Sequence, residues 1–412
     1  MLTTLAISDT TQYFINLESN HGAHNYHPLP VVLKKGSGVF VWDVDDKRYF
    51  DFLSGYSAVN QGHCHPKIIK ALVEQAEQLT LTSRAFHSNL LGEYEAFITQ
   101  FFGYDKVLPM NTGVEAVETA LKLARHWGYR VKGIATNAAK IIVCAENFHG
   151  RTTGVISFST DPTATNDFGP FNLGYEIIPF NDLTALSIAL NDPSVCGFLF
   201  EPIQGEAGVV VPDEGYYLGV RALCDQYNVL MMADEIQTGL ARTGKMLACD
   251  HENVRPDILI LGKALSGGTL PVSAVLADNP VMMTIQPGEH GSTYGGNPLA
   301  AAVAIASLNV LKEENLSAHA AAMGQLLRDE LALLQSPFIS IVRGKGLLNA
   351  IVIQHPNPAA AWELCLYLKE LGLLAKPTHG DKIRLAPPLV ITKEQILESV
   401  EIISKGLKKL AV

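Results

Sequence analysis

Three ionisable residues each follow a short apolar run, at points where a buried strand would end. Glu201 follows GFLF, Asp234 closes VLMMAD and Lys263 follows ILILG. Runs of this length and composition are typical of strands that are covered on both faces. In an open α/β sheet, ligands bind beyond the carboxyl ends of the strands. We therefore expect the three side chains to meet at one edge of a sheet and to form part of a site.

The lysine has two possible roles. A lysine just past a strand end usually lays its stem on apolar surface and keeps its charge in water. The alternative for Lys263 is a nucleophilic amine that forms a Schiff base, which requires surroundings that lower its pKa from about 10.4 towards neutrality. Asp234 could cap a helix or carry a surface charge. It could also keep the pyridine nitrogen of pyridoxal phosphate protonated, so that the ring acts as an electron sink.

Two stretches could bind a phosphate group. In MNTGVEAVETALKLAR, Thr112 and Glu115 have the spacing of a capping box before a helix with one apolar face. Gly113 would let the free N–H groups of the first helical turn approach an anion, although an ordinary capped helix has the same pattern. The second stretch is the glycine-rich HGSTYGGNP, in which Ser292 and Thr293 offer hydroxyl groups.

The ENFHGRT segment follows another apolar run and presents an aromatic ring and a guanidinium group. Phe148 could stack on a planar ring, and Arg151 could bind a carboxylate through two hydrogen bonds. Each residue could equally belong to an ordinary surface loop.

Composition limits the class of protein. With 412 residues, of which 48% are hydrophobic and 17% charged, the chain is predicted to be globular and to divide into two domains. A net charge of −10 argues against nucleic acid or an anionic membrane as the main partner. The histidines at positions 21, 24 and 27 and at 63 and 65 lack a known zinc spacing, so no metal site is predicted.

The expected location is the cytoplasm. The six cysteines are scattered without the spacing of a disulfide framework, which is typical of a reducing compartment. The N-terminal residues have neither the early positive charge of a secretory signal nor the arginines of a mitochondrial presequence.

The elements that must position these residues follow from the apolar pattern. GVFVWDVDDKRYFDFLSG predicts a hairpin with its turn at Asp45–Asp46. From about residue 66, helical stretches alternate with short apolar runs, PVSAVLA included, which indicates a largely parallel α/β sheet. Further on, KIRLAPPLVI predicts a strand and a last helix begins at Lys393. We predict a large domain over residues 58–298 and a smaller α+β domain built from residues 1–57 and 299–412.

Seven motifs occur in one order between residues 111 and 389: NTGVEA, FHGRT, EPIQGEAG, ADEIQTG, LGKALSGG, HGSTYGGNP and RLAPPL. Together they resemble the class III, fold-type I aminotransferases, which use pyridoxal 5′-phosphate. Within this family they are most similar to the branch that acts on ornithine. The resemblance implies a large domain with a mostly parallel sheet flanked by helices, a smaller α+β domain, and a homodimer whose active sites lie at the subunit interface.

The resemblance also implies which residues bind the cofactor ring. Lys263 would bind the cofactor covalently and then shuttle protons. Asp234 would pair with the pyridine nitrogen, and both residues are the predicted catalytic groups. Phe148 would stack on the ring, and Gln237 would contact its phenolic oxygen.

The phosphate group of the cofactor is assigned in the same way. The backbone N–H groups of Gly113 and Val114 would bind it within one subunit. Ser292 and Thr293 would reach the phosphate that is bound in the neighbouring subunit.

Substrate binding is implied for five residues. Arg151, helped by Tyr26, would bind the carboxylate that is remote from the reacting amine, and Arg384 would bind the α-carboxylate of glutamate or 2-oxoglutarate. We expect Glu206 to pair with Arg384 while ornithine is bound and to move away for the oxo acid, because an unpaired buried charge is costly. Tyr56, after the glycine of LSGY, is similar to the ornithine branch.

The implied reaction transfers the δ-amino group of L-ornithine to 2-oxoglutarate in a ping-pong cycle. Its products are glutamate and glutamate 5-semialdehyde, which closes to pyrroline-5-carboxylate. N-acetylornithine and 4-aminobutyrate are the alternative substrates within the family. Outside it, a metal-dependent hydrolase would rest on the histidine clusters, and a binding protein without activity would leave Lys263 as an ordinary surface lysine.

Overall fold

The structure is a computed structural model that describes residues 7–410. Its α-helices, in chain order, are α1 (Asp9–His21), α2 (Ser54–Ser57), α3 (Pro66–Ala76), α4 (Asn89–Phe102), α5 (Gly113–Arg130), α6 (Thr153–Ile156), α7 (Pro162–Thr165), α8 (Leu183–Ala189), α9 (Tyr216–Tyr227), α10 (Asn279–Met282), α11 (Pro298–Glu313), α12 (Leu316–Leu333), α13 (Ala360–Leu371) and α14 (Lys393–Lys409). Short 3₁₀ helices are present at Ala248–Glu252 and Lys263–Ser266. Among the described residues, no helix is long and apolar enough to cross a bilayer.

The strands form three sheets. In chain order they are β1 (Leu33–Ser37), β2 (Phe40–Asp43), β3 (Arg48–Asp51), β4 (Lys106–Met110), β5 (Lys140–Cys144), β6 (Tyr175–Ile178), β7 (Val195–Phe200), β8 (Leu230–Asp234), β9 (Ile258–Leu261), β10 (Ser273–Ala277), β11 (Ile339–Lys345), β12 (Leu348–Ile353), β13 (Leu373–Leu374), β14 (Lys376–Thr378) and β15 (Lys382–Leu385).

The central sheet has seven strands in the order β4-β10-β9-β8-β7-β5-β6. Neighbours from β9 to β6 run parallel, which confirms the predicted α/β class. The PVSAVLA run was predicted as one more strand of this pattern, but β10 runs antiparallel to both of its neighbours. Every residue of β7, β8, β9 and β10 is buried, so these strands are apolar throughout rather than in alternation.

Helix α5 packs across the central sheet and begins at its carboxyl edge. Thr112 and Glu115 form the predicted capping box, with the Thr112 side chain accepting from the Glu115 N–H. The apolar face of the helix is buried from Val117 onward, whereas Val114 is only partly buried. The cap and the buried face together fix the position of the first helical turn.

The N-terminal segment and the C-terminal part share a sheet. The predicted hairpin is present as β2 and β3, and Asp43 accepts hydrogen bonds from the backbone of its turn. Strand β13 pairs in parallel with β3, which places Leu373 opposite Phe50. The domain boundaries at residues 58 and 298 stay a prediction.

The third sheet, in the order β11-β12-β15-β14, is antiparallel throughout and carries Arg384 on β15. The KIRLAPPLVI segment was predicted as one strand, but β15 ends at Leu385. Pro387 and Pro388 follow, and a proline has no N–H group to continue a ladder. Helix α14 begins at Lys393, as the sequence predicts.

Candidate active site

Three adjacent strands of the central sheet deliver ionisable side chains to one cavity. Glu201 follows β7, Asp234 ends β8 and Lys263 follows β9, and all three line this cavity. We call it the inner chamber; its other relevant lining residues are Gly113, Val114, Phe148, His149, Ile236, Gln237 and Thr238. The structure therefore brings together the strand ends that the apolar runs singled out.

Lys263 is held in an unusual backbone conformation. Its φ angle is +43°, in the left-handed region that non-glycine residues rarely adopt. Burial lowers the pKa of Lys263, and the nearby Arg384 lowers it further, while the carboxylates of Glu206 and Asp234 act in the opposite direction. The net result is an amine that loses its proton more readily than a surface lysine.

Asp234 is buried and bound to a histidine. Its Oδ2 lies 2.7 Å from Nδ1 of His149, and its Oδ1 accepts from the N–H of Ile236 at 3.1 Å. Burial would lower the pKa of His149, but the Asp234 carboxylate outweighs it and the pKa is raised. Nε2 of His149 is buried and has no hydrogen-bond partner among the described residues.

Glu201 supports the aromatic residue of the chamber. Its carboxylate accepts from the backbone N–H of Phe148 at 2.9 Å. Burial raises the pKa of Glu201 to about 7, which His149 partly offsets and Asp234 reinforces. The sequence marked Glu201 as a strand end without giving it a function, and the histidine of FHGRT, His149, was given no role.

The first turn of α5 faces the inner chamber. Gly113 and Val114 line the cavity at the helix N-terminus, where the first N–H groups have no partner within the helix. A Cβ atom added at position 113 would lie 3.2 Å from Cδ1 of Ile236, so the backbone is closely packed here. Such a helix N-terminus is suited to an anion.

Gln237 connects the inner chamber to Glu206. Its Nε2 donates to Oε1 of Glu206 at 3.2 Å. Its own Oε1 is buried and has no partner among residues 7–410. The amide is therefore held at one end and can accept a hydrogen bond from a ligand at the other.

A second cavity collects all of the predicted substrate-binding residues. We call it the outer chamber; its lining includes Tyr26, Tyr56, Arg151, Glu206, Lys376, Thr378 and Arg384. Phe148 and Glu206 line both chambers, so the two are continuous at this point. The residues of the outer chamber come from the N-terminal segment, from loops of the central sheet and from the C-terminal part, which explains why their proximity could not be read from spacing.

Arg384 and Glu206 form an ion pair in the outer chamber. Nη1 of Arg384 donates to Oε1 of Glu206, and the guanidinium carbon lies 5.1 Å from the centre of the Tyr56 ring. Burial would raise the pKa of Glu206, but Arg384 outweighs it and the pKa is lowered, so the carboxylate is charged. Oγ1 of Thr378 donates to the backbone oxygen of Glu206 at 2.9 Å.

Tyr56 is presented by a left-handed turn. The φ angles of residues 54 to 57 lie between +51° and +69°. Each non-glycine residue in this region costs about 1–2 kcal/mol. Asp51 accepts from the N–H groups of Leu53 and Ser54, and the Ser54 hydroxyl donates to the Ala386 carbonyl at 2.7 Å. These contacts hold the strained turn against the segment that follows Arg384.

Ser292 and Thr293 do not line either chamber of their own chain. The Ser292 hydroxyl accepts from Nδ2 of Asn111 at 2.9 Å, and Thr293 is exposed. Their predicted contact with a neighbouring subunit stays a prediction.

The residues of the inner chamber fit pyridoxal phosphate. An amine of lowered pKa, a buried carboxylate and an aromatic ring are present at Lys263, Asp234 and Phe148. The free N–H groups at Gly113 suit the phosphate, and the unpartnered Oε1 of Gln237 suits a protonated ring oxygen. No group of three or more metal-ligating side chains is found in the part of the chain that the structure describes.

Known proteins are similar to this chain in sequence and in fold. The class-III aminotransferase family model matches residues 21–407. The mitochondrial ornithine aminotransferase of Rattus norvegicus is 64% identical, over 97% of this chain and 91% of its own. The crystal structure of ornithine aminotransferase from Toxoplasma gondii superposes with a TM-score of 0.96 at 47% identity, covering 98% of this chain and 96% of its own. An acetylornithine aminotransferase from Elizabethkingia anophelis gives a TM-score of 0.89 at 59% identity, over 97% of this chain and 99% of its own.

Proposed function

This chain belongs to the class-III aminotransferases, and on that premise we propose that it transfers the δ-amino group of L-ornithine to 2-oxoglutarate with pyridoxal 5′-phosphate as cofactor. The products are glutamate and glutamate 5-semialdehyde, which closes to pyrroline-5-carboxylate. The observation that carries this proposal is the ion pair between Glu206 and Arg384 beside the amine of Lys263. The same site must accept ornithine, which has no carboxylate next to its reacting carbon, and 2-oxoglutarate, which has one.

The inner chamber serves the chemistry. When bound, pyridoxal phosphate supplies an electron sink for the charge that forms on the substrate carbon when a proton is removed. Lys263 would hold the cofactor covalently and, as a free amine, would move the proton, because its lowered pKa makes the neutral amine accessible. Asp234 would keep the ring nitrogen protonated, and His149 orients the Asp234 carboxylate.

Contacts to the rest of the cofactor follow from the chamber walls. Phe148, whose backbone N–H donates to Glu201, would stack on the ring, and Gln237, which donates to Glu206, would contact the phenolic oxygen of the ring. The N–H groups of Gly113 and Val114 would bind the phosphate at the positive end of α5.

The outer chamber selects the substrate. Arg151, with Tyr26, binds the α-carboxylate of ornithine, which is the one remote from the reacting δ-amine. During this half-reaction Glu206 neutralises Arg384. When 2-oxoglutarate or glutamate binds, its α-carboxylate takes the place of Glu206 on Arg384. Tyr56 supports the guanidinium with its ring in both halves of the cycle.

N-acetyl-L-ornithine is the second candidate substrate, since the Elizabethkingia anophelis structure is named as an acetylornithine aminotransferase. Both candidates react at a terminal amine and carry an α-carboxylate. They differ in the α-nitrogen, which is a charged ammonium in ornithine and a neutral amide in its acetyl derivative.

A visible absorption spectrum of the purified protein decides between them. Addition of L-ornithine without any oxo acid should remove the band of the lysine-bound cofactor, and the Lys263→Ala variant should lack that band and nearly all turnover. A band that responds only to N-acetyl-L-ornithine would replace the substrate. Substantial turnover by Lys263→Ala would overturn the proposed role of the lysine.

Two further features belong to this proposal. We infer a homodimer in which Ser292 and Thr293 complete the phosphate site of the partner, since neither lines a chamber of its own chain. In a mixed dimer of the Lys263→Ala and Thr293→Ala variants, one site would then contain neither substitution. Mixing the two variants should therefore raise the activity. We also propose that the enzyme is located in the cytoplasm. All six cysteines are free thiols, which suits a reducing compartment. Cell fractionation would distinguish a cytoplasmic location from the mitochondrial one named for the rat relative.

A further inference from the structure

Besides Arg151 and Arg384, the outer chamber is lined by a third cation, Lys376, which has no role in the reaction described above. Lys376 begins β14 and lies directly opposite Arg384 of β15 in the antiparallel ladder. Side chains at opposite positions point to the same face, with Cβ atoms about 4.5–5.5 Å apart. Both residues line the outer chamber, together with Arg151 and Tyr26. The sheet register thus places the Cβ atoms of Lys376 and Arg384 side by side, and both side chains line the outer chamber.

The two neighbouring cations differ in how they are neutralised. Arg384 has the carboxylate of Glu206. Within residues 7–410, no carboxylate forms an ion pair with Lys376, and the nearest aromatic contact of its Nζ is the Tyr26 ring, 6.0 Å from the ring centre. Burial and the charge of Arg384 lower the pKa of Lys376. Like charges that face each other across a ladder are unfavourable, so the pair is maintained at a cost to the fold.

An incoming carboxylate would remove that cost. Lys376 is half-buried, so an anion that binds its ammonium group gains a charged contact in a partly desolvated site. Each substrate of the proposed reaction carries one carboxylate remote from its reacting carbon: the α-carboxylate of ornithine and the γ-carboxylate of 2-oxoglutarate.

We propose that Lys376 is a substrate-binding residue whose ammonium group, together with Arg151, binds the carboxylate remote from the reacting centre. This inference rests on the proposed function. Lys376 acts on substrate affinity in both half-reactions, while Arg384 alone receives the carboxylate next to the reacting carbon. The Tyr26 ring, whose centre lies 6.0 Å from Nζ of Lys376, lines the same chamber.

The test compares steady-state kinetics of Lys376→Gln and Lys376→Arg with those of the wild type. Lys382→Gln is the matched control, because Lys382 lies in the same hairpin, pairs with Asp381 at 2.7 Å and does not line the outer chamber. Loss of a charged hydrogen bond corresponds to on the order of a ten- to hundred-fold change in affinity. Lys376→Gln should raise the KM for L-ornithine by about that factor with kcat within about two-fold, and Lys376→Arg should restore KM.

An unchanged KM in Lys376→Gln would overturn the inference. So would an equal loss in the Gln and Arg variants accompanied by a fall in kcat, which would indicate a structural role. A wild-type protein that uses N-acetyl-L-ornithine instead would refute the proposed substrate only. That compound carries the same α-carboxylate, so the same comparison of KM would still decide the role of Lys376.

Discussion

The carboxylate of Glu206 contacts the guanidinium of Arg384 at the boundary between the two chambers. The two partners are not equally free to move: 5% of the Arg384 side chain is exposed, against 22% for Glu206. Arg384 lies within a paired strand, whereas Glu206 lies in the loop that follows β7. Glu206 is therefore the partner that can withdraw when a substrate carboxylate arrives, and Arg384 is the fixed point of the site.

The first prediction concerns Glu206→Gln. The amide keeps the size of the side chain but removes the charge that competes for Arg384. The half-reaction with glutamate should become faster at low substrate, and the half-reaction with ornithine should become slower. Each change should be on the order of ten- to a hundred-fold, as expected for a charged hydrogen bond. Stopped-flow spectra of the two half-reactions give both numbers, and an unchanged ratio would refute the gating role of Glu206.

The second prediction compares Asp234→Asn with His149→Gln. An amide at position 234 cannot hold a ring nitrogen in its protonated form, so kcat should fall by about 10²–10⁴-fold. His149→Gln leaves the carboxylate in place and removes only the group that orients it through a 2.7 Å contact. Its kcat should therefore fall less, by about ten-fold. Losses of the same size in both variants would mean that the histidine has more than a positioning role.

Much of the inner chamber follows from local sequence patterns. The strand ends at Glu201, Asp234 and Lys263 could be predicted because an apolar run marks each strand and parallel strands end at one edge. The capping box at Thr112 could be predicted because its donors and acceptors are three residues apart.

The contacts that complete the site are separated by long stretches of chain. Asp234 and His149 are 85 residues apart, and Arg384 and Glu206 are 178 residues apart. No spacing rule connects such pairs, and only the resemblance to a family suggested the second. The antiparallel direction of β10 and the left-handed turn at Tyr56 were likewise set by tertiary packing rather than by local preference.

The third prediction concerns Arg242, a fully buried cation that connects Asn60 to the C-terminal part of the chain. Its guanidinium donates to Oδ1 of Asn60 and to the carbonyl groups of Leu347 and Pro387. Burial lowers the pKa of Arg242 to about 9. The single ammonium group of a lysine cannot reproduce this planar fork of donors, so Arg242→Lys should lower the free energy of unfolding by about 3 kcal/mol.

Pro387 lies three residues after Arg384, so the same variant should also weaken binding of 2-oxoglutarate. Urea unfolding at a fixed protein concentration measures the stability, and steady-state KM measures the binding. Arg255→Lys is the control, because Arg255 pairs with Asp278 at an exposed site, where the change should stay within about 1 kcal/mol. Equal effects in the two variants would contradict the joining role of Arg242.

The fourth prediction concerns Glu235, which is adjacent to Asp234 but does not line either chamber. Its side chain is fully buried, accepts from the Thr238 hydroxyl and accepts from the N–H of Cys249 at 2.9 Å. Burial raises the pKa of Glu235 from 4.5 to about 7, although the contact with Thr238 opposes the shift. Between these values the folded protein binds a proton that the unfolded chain has released.

Stability from this group is therefore fully present below about pH 4.5 and is lost as the pH rises through about 7, a difference of about 3 kcal/mol. Glu235→Gln mimics the protonated form and should not titrate. The difference in unfolding free energy between variant and wild type, measured by urea unfolding at several pH values, should thus grow in favour of the variant across this window. A difference that does not depend on pH would show that Glu235 has the same affinity for protons in the folded and unfolded chains.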